Sequence, residues 1–220
     1  MTRQQTPIAE PPADCSLCPR LTAFRRANQD VNPSWFNGAV PSFGEESAAL
    51  LIVGLAPGLK GANRTGRPFT GDYAGDLLYP TLVKFGFGQG DYQASADDGF
   101  TLKNCMITNA VRCVPPQNKP IGAEINNCRP FFAERMKSLP NLKVIISLGR
   151  IAHDQVIRTI GGKLAQFKFA HNTAHTLPEG QVMLNSYHCS RYNTNTGRLT
   201  TEMFEDVFEK ATEILNSTTT

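Results

Sequence analysis

The chain has 220 residues, 40% of them hydrophobic, and a formal net charge of +3 from 22 Lys+Arg against 19 Asp+Glu. That length suits one large domain or two small ones, and no run approaches the ~18 apolar residues a membrane helix needs. So weak a charge neither points to a nucleic-acid partner nor excludes one, because a local basic patch matters more than the total.

Residues 1–14, MTRQQTPIAEPPAD, lack the apolar centre of a secretory signal and read as a disordered lead. Without an export signal the expected location is the cytoplasm, and the six cysteines need an account other than a disulfide framework. Four apolar, β-rich runs follow: Leu50 to Gly54, Cys105 to Val111, Lys143 to Gly149 and Gln181 to Tyr187. Between them the spacing predicts helices over Ala74 to Phe85, Gly122 to Leu139 and Arg150 to Ile160. A last helix, about Thr201 to Leu215, carries Met203, Phe204, Val207, Phe208, Ala211 and Ile214 at helical spacing. Residues 216–220 read as a frayed tail, which leaves 15–215 as a single domain.

Strand–helix alternation at this rhythm implies an α/β fold, a parallel sheet with helices on both faces. Ligands of such sheets bind beyond the carboxyl ends of the strands. Here those ends are Leu55 to Asp72, Arg112 to Pro120, Arg150, and His188 to Arg198.

Cys15 and Cys18 form a C-x-x-C, and Cys113 and Cys128 lie farther on. Four thiols from two regions suggest a metal site. A zinc ribbon usually takes two tight pairs, whereas iron–sulfur clusters accept more varied spacing. Unrelated buried thiols are the alternative. Cys105 and Cys189 fit no such pattern and read as small buried hydrophobes.

The loop after the first run, GLAPGLKGANRTGRPFTGD, is not a phosphate cradle. Arg67 and Pro68 stand where a P-loop needs Lys and Ser or Thr. Ala56 stands where a nucleophile elbow needs Ser, and no G-x-G-x-x-G follows the strand. What remains is a loop that brings backbone close to a ligand. Phe69 at its far end is core or platform, and Asp72 is at least the N-cap of the next helix. Arg64 and Arg67 suit either phosphates or solvated surface.

Taken together, CSLCPRL (15–21), the 54–72 loop, ITNAVRCVPPQNKP (107–120), NNCRP (126–130), SLGRIA (147–152) and YHCSRYNTNTGRLT (187–200) carry a resemblance. From Cys15 to about Phe208 the chain resembles the uracil-DNA glycosylases of the iron–sulfur branch, most of all their broad-specificity family 5. The resemblance implies a three-layer α/β/α fold on a central four-stranded parallel sheet. It also implies a [4Fe–4S] cluster on Cys15, Cys18, Cys113 and Cys128, structural rather than redox-active in the reaction.

The implied reaction is hydrolysis of the N-glycosidic bond of uracil, and of other deaminated bases such as hypoxanthine and xanthine, once the base has left the DNA stack. By resemblance His188 hydrogen-bonds the base carbonyl, Asn109 lies against the base edge, and Phe69 stacks on the base. Gly54, Ala56, Gly58 and Asn63 complete the base site. Asp72 orients water or stabilises the cationic sugar, a role the uncharged Leu55-Ala56-Pro57 cannot fill. Arg191, Tyr192, Asn193 and Arg198 are the implied DNA contacts, and the family suggests a monomer. The rival expectation is a damaged-DNA-binding module without catalysis.

Overall fold

The structure, a computed structural model, describes residues 9–217. In chain order the elements are α1 (Pro19–Val31), β1 (Phe43–Gly44), β2 (Leu50–Gly54), α2 (Ala62–Thr65), α3 (Tyr73–Lys84), β3 (Gly88–Gln89), β4 (Thr101–Leu102) and β5 (Cys105–Asn109). After a 3₁₀ turn (Pro116–Asn118) come α4 (Gly122–Lys137), β6 (Val144–Leu148), α5 (Arg150–Thr159), β7 (Ala174–Thr176), β8 (Val182–Ser186), α6 (Arg191–Asn195) and α7 (Thr201–Ser217).

The main sheet runs β1-β5-β2-β6-β8-β7. Its four central strands, β5, β2, β6 and β8, are parallel, as expected. Two short edge strands, β1 and β7, are added antiparallel. The central strands read as apolar runs because both faces are covered. Leu50 and Ile52 point to one side, into a core with Leu78 and Leu82 of α3 and Phe204, Val207 and Phe208 of α7. Leu51 and Val53 point to the other, against Phe132 of α4 and Val156 and Ile157 of α5. These are the three layers. Parallel alignment brings all four carboxyl ends to one rim of the sheet.

At the amino end the structure corrects an expectation. Residues 1–8 of the supposed lead lie outside the described residues, but 9–14 are packed against the domain. Pro11 is buried. The Glu10 carboxylate pairs with two buried guanidinium groups, Arg112 at 3.0 Å and Arg135 at 2.9 Å. Arg25 of α1 donates to the Ala13 carbonyl at 2.7 Å. At the other end α7 runs on through Ser217, and residues 218–220 lie outside the description. Among the described residues, no helix is long and apolar enough to cross a membrane.

Candidate active site

At the carboxyl rim of the sheet lies a cavity of about 290 Å³, of the order of small-ligand sites. Its walls come from the segments that follow β2, β5 and β8, while the turn after β6 stays outside it. Ala56 and Gly58 follow β2, Phe69 and Asp72 precede α3, Asn109 ends β5, and His188 follows β8. Residues far apart in the chain therefore share one hollow. Asn118 and Ser190 also line it, and sequence reasoning had singled out neither. Asn118 lay inside a quoted motif but carries no pattern of its own. Ser190 had a readable signal, a Ser three residues ahead of Asn193, whose N–H its hydroxyl accepts to cap α6.

The glycines of the 54–72 loop are there to give room. At Gly54 a Cβ would stand 2.6 Å from Phe69 Cζ and would overlap the Asn109 side chain. At Gly58 it would stand 2.9 Å from Asp72 Oδ2, and at Gly61 2.7 Å from Asp72 Cγ. So Gly54 shapes the site from behind, while Gly58 and Gly61 let the loop backbone pack closely against the Asp72 carboxylate. Asn63 behaves otherwise. It is fully buried, donates to Asn37 Oδ1 at 2.9 Å, and does not line the cavity. Its amide ties the loop to the segment beneath it rather than facing a base.

Asp72 is the N-cap of α3, with Oδ1 accepting from the Ala74 N–H at 3.2 Å. Oδ2 faces Gly58 and Gly61. Burial raises its pKa above the ordinary carboxylate value, and nearby Asp76 adds to that, against the lowering effect of backbone N–H groups. The carboxylate thus has one oxygen engaged in the fold and the other turned toward Gly58 on the cavity wall.

Asn109 is 3% exposed, and its side-chain oxygen is buried without a hydrogen-bond partner. An orphaned buried acceptor costs about 1–3 kcal/mol, so a group tolerated in that state suits a ligand donor. The His188 imidazole sits 6.0 Å from the Phe69 ring, centroid to centroid, tilted by 31°. Desolvation lowers its pKa, so the ring is neutral at pH 7. Its backbone is fixed from both sides. Asn193 donates to the His188 carbonyl at 2.8 Å, and Gly149, at φ +94°, lets the Cβ of His188 pack closely.

Beside the cavity mouth, α6 presents Arg191 and Tyr192 to solvent, the tyrosine 72% exposed. The Arg191 guanidinium lies over Tyr73, and that of Arg198 lies 4.7 Å from the Tyr187 ring centre. Asn193 is turned inward to its backbone bond. Arg64 is exposed, whereas Arg67 is buried in a bidentate pair with Asp98 and does not reach solvent.

Cys15, Cys18, Cys113 and Cys128 gather in a second hollow, walled by Leu21, Val111 and Phe131. All are free thiols. Among the described residues, no three His, Cys, Asp or Glu side chains converge closely enough to hold a single metal ion. The four thiols line one apolar hollow, and four cysteine sulfurs are the ligand set that iron–sulfur clusters take. N–H donors are directed at two of the sulfurs. The Arg112 backbone N–H lies 3.3 Å from Cys128 Sγ, and Asn127 Nδ2 lies 3.7 Å from Cys18 Sγ. Such donors are what thiolate ligands take in their outer shell. The donor set therefore fits an iron–sulfur cluster. Cys105 and Cys189, by contrast, are both fully buried in the main core, as expected of small hydrophobes.

Residues 41–212 match the family model of the uracil DNA glycosylase superfamily. The chain is 42% identical to a type-5 uracil-DNA glycosylase of Thermus thermophilus, over 90% of this chain and 92% of that one. It is 35% identical to a type-5 uracil-DNA glycosylase of Pyrobaculum aerophilum, over 90% and 88%. A type-4 uracil-DNA glycosylase of the same organism is 32% identical over 67% of this chain and 62% of its own.

Proposed function

The chain belongs to the uracil-DNA glycosylase superfamily, on its type-5 branch, and from that premise we propose how its cavity hydrolyses the N-glycosidic bond of uracil in DNA. The observation that carries the proposal is the shared hollow. Phe69, Asp72, Asn109 and His188 all line it.

An extruded uracil stacks on Phe69. Its ring N–H donates to the unpartnered Asn109 oxygen, and the Asn109 amide donates to the adjacent carbonyl. As the bond between the sugar C1′ and the base nitrogen stretches, its electron pair moves to the base. His188, neutral, donates to a base carbonyl whose negative charge is growing, so the bond strengthens toward the transition state. A neutral donor also avoids burying an unpaired cation. Asp72 faces the other product of cleavage, the oxocarbenium-like sugar. Its Oδ2, on the side of Gly58, aligns a water for attack on C1′ and offsets the positive charge there. The water's oxygen bonds to C1′, its proton goes to the carboxylate or to solvent, and an abasic site and free base result.

Small residues, Ala56, Pro57, Ala62 and Ala74, wall the cavity and set no charge against a particular base edge. That supports action on hypoxanthine and xanthine as well as uracil. Tyr192, exposed beside the cavity, fills the gap the base leaves, and Arg191 and Arg198 meet phosphates. Cys15, Cys18, Cys113 and Cys128 would hold a [4Fe–4S] cluster. When bound, it supplies a covalent tie between the amino-terminal segment and the loop after β5. A monomer is what the resemblance suggests, and a DNA substrate together with unpaired cysteines fits the cytoplasm.

The test is incubation of the purified protein with a duplex holding one uracil, followed by alkaline cleavage. A strand break at the uracil is expected, with weaker breaks at hypoxanthine and xanthine. Binding without any abasic product would overturn the catalytic reading in favour of a damage-binding module.

A further inference from the structure

The segment Arg67–Asp72 carries two of the cavity's groups, yet it belongs to neither helix nor strand. Its backbone is also unusual. Phe69 has φ +53° and Gly71 φ +86°. A bulky residue in the left-handed region costs of order 1 kcal/mol or more and persists only where its surroundings fix it.

Those surroundings are a cluster of hydroxyls on two stacked rings. Tyr79 and Tyr92 lie face to face, 4.3 Å apart and 8° from parallel. The Tyr79 hydroxyl donates to the Pro68 carbonyl at 2.7 Å. The Tyr92 oxygen accepts from the Gly71 N–H at 3.1 Å, and its O–H points to the Phe69 carbonyl at 3.4 Å. Gly75, in the first turn of α3, makes this meeting possible, because a Cβ there would collide with both the Phe69 carbonyl and the Tyr92 hydroxyl. Tyr92 comes from a separate stretch of chain, and a buried ion pair anchors that stretch. Asp98 takes both Arg67 terminal nitrogens at 2.7 Å and the N–H groups of Gln93 and Phe100 at 3.0 Å. The Arg67 guanidinium lies 5.1 Å from the ring centres of both Phe43 and Tyr79, and its Nε donates to Thr70 at 2.8 Å.

We infer that Tyr92 is a positioning residue for the glycosylase reaction: its single hydroxyl bridges the backbone on both sides of Thr70 and so holds the Phe69 ring and the Asp72 carboxylate in register across the cavity. It touches neither base nor sugar. The inference rests on the roles given above to Phe69 and Asp72. Loss of the bridge frees the strained peptide at Phe69 and lets ring and carboxylate move independently. A misplacement of the order of 1 Å is worth up to about 100-fold in rate.

Tyr92→Phe keeps the ring stacked on Tyr79 and removes only the hydroxyl. The single-turnover rate of uracil release is expected to fall about 10- to 100-fold. Affinity for a duplex with a stable abasic analogue should stay within about twofold, and Tm should change by only a few degrees. In a double-mutant cycle with Phe69→Ala, the combined loss should be smaller than the product of the two single losses. Phe69→Ala and Asp72→Asn are run alongside. Wild-type rates in those two would sink the site reading itself. Large losses there with an unchanged Tyr92→Phe rate would overturn the positioning role alone. So would a Tyr92→Phe loss that merely tracks a lower folded fraction, or one that multiplies independently with Phe69→Ala.

Discussion

Strand β5 feeds two hollows that are built in opposite ways. At its end Asn109 enters the cavity with a buried, unpartnered oxygen, beside a neutral His188 and a carboxylate with one oxygen turned to the cavity wall. Four residues farther on, Cys113 enters the cysteine hollow, where N–H donors are already aimed at Cys128 and Cys18 and the walls are apolar. The first hollow keeps polar groups waiting for a ligand whose charge changes during reaction. The second surrounds its four thiols with fixed donors and apolar side chains, as the proposed cluster would require. Proximity in the chain does not make the two one site.

Substitutions separate them. Asp72→Asn should have the largest effect on rate, a loss of about 10²–10⁴-fold in single-turnover uracil release, while α3 keeps an N-cap because Asn caps nearly as well. His188→Ala should cost about 10²–10³-fold, the usual range for one donor to a developing anion, with DNA binding little changed in a gel-shift assay.

The pH profile follows from the same two groups. Burial raises Asp72 and lowers His188, so the reactive pair is carboxylate and neutral imidazole. The rate should fall as pH drops, through an apparent pKa above the ordinary 3.8 of an aspartate, and be flat from pH 7 to 8. Asp72→Asn should lose the aspartate's part of that acid limb.

Cys113→Ala should strike the other hollow: loss of visible cluster absorbance and a Tm about 10 °C lower, equivalent to several kcal/mol in a domain this size. The rate of the folded fraction should stay within about tenfold of wild type. The smallest effect is expected for Asn63→Ala, about 1–3 kcal/mol of stability from the orphaned Asn37 oxygen, with an unchanged rate. A rate loss there beyond the folded fraction would return Asn63 to the base site.

The same contrast governs what could be read from sequence. Strands buried on both faces announce themselves, and β2 matched its expected bounds residue for residue. α7 was equally plain, since Phe204, Val207, Phe208 and Ala211 fall on one buried face. α1 was missed because only Leu21 and Arg25 of it are buried, and β1 and β7 because edge strands of two and three residues show no periodicity. The convergence of Phe69, Asp72, Asn109 and His188 was legible from strand ends and motif resemblance together. The buried Arg67–Asp98 pair was not, because a charge's partner in a distant loop leaves no local pattern. Nor was Glu10, whose ion pairs hold residues that composition assigns to a loose lead.

The most direct measurement is a crystal structure of Asp72→Asn bound to a duplex with one uracil. The expected result is an extruded uracil lying on Phe69, its ring N–H on the Asn109 oxygen, a carbonyl on His188, and residue 72 toward the sugar. A uracil held elsewhere, or one in the cavity with His188 and residue 72 both turned away from it, would contradict the central claim.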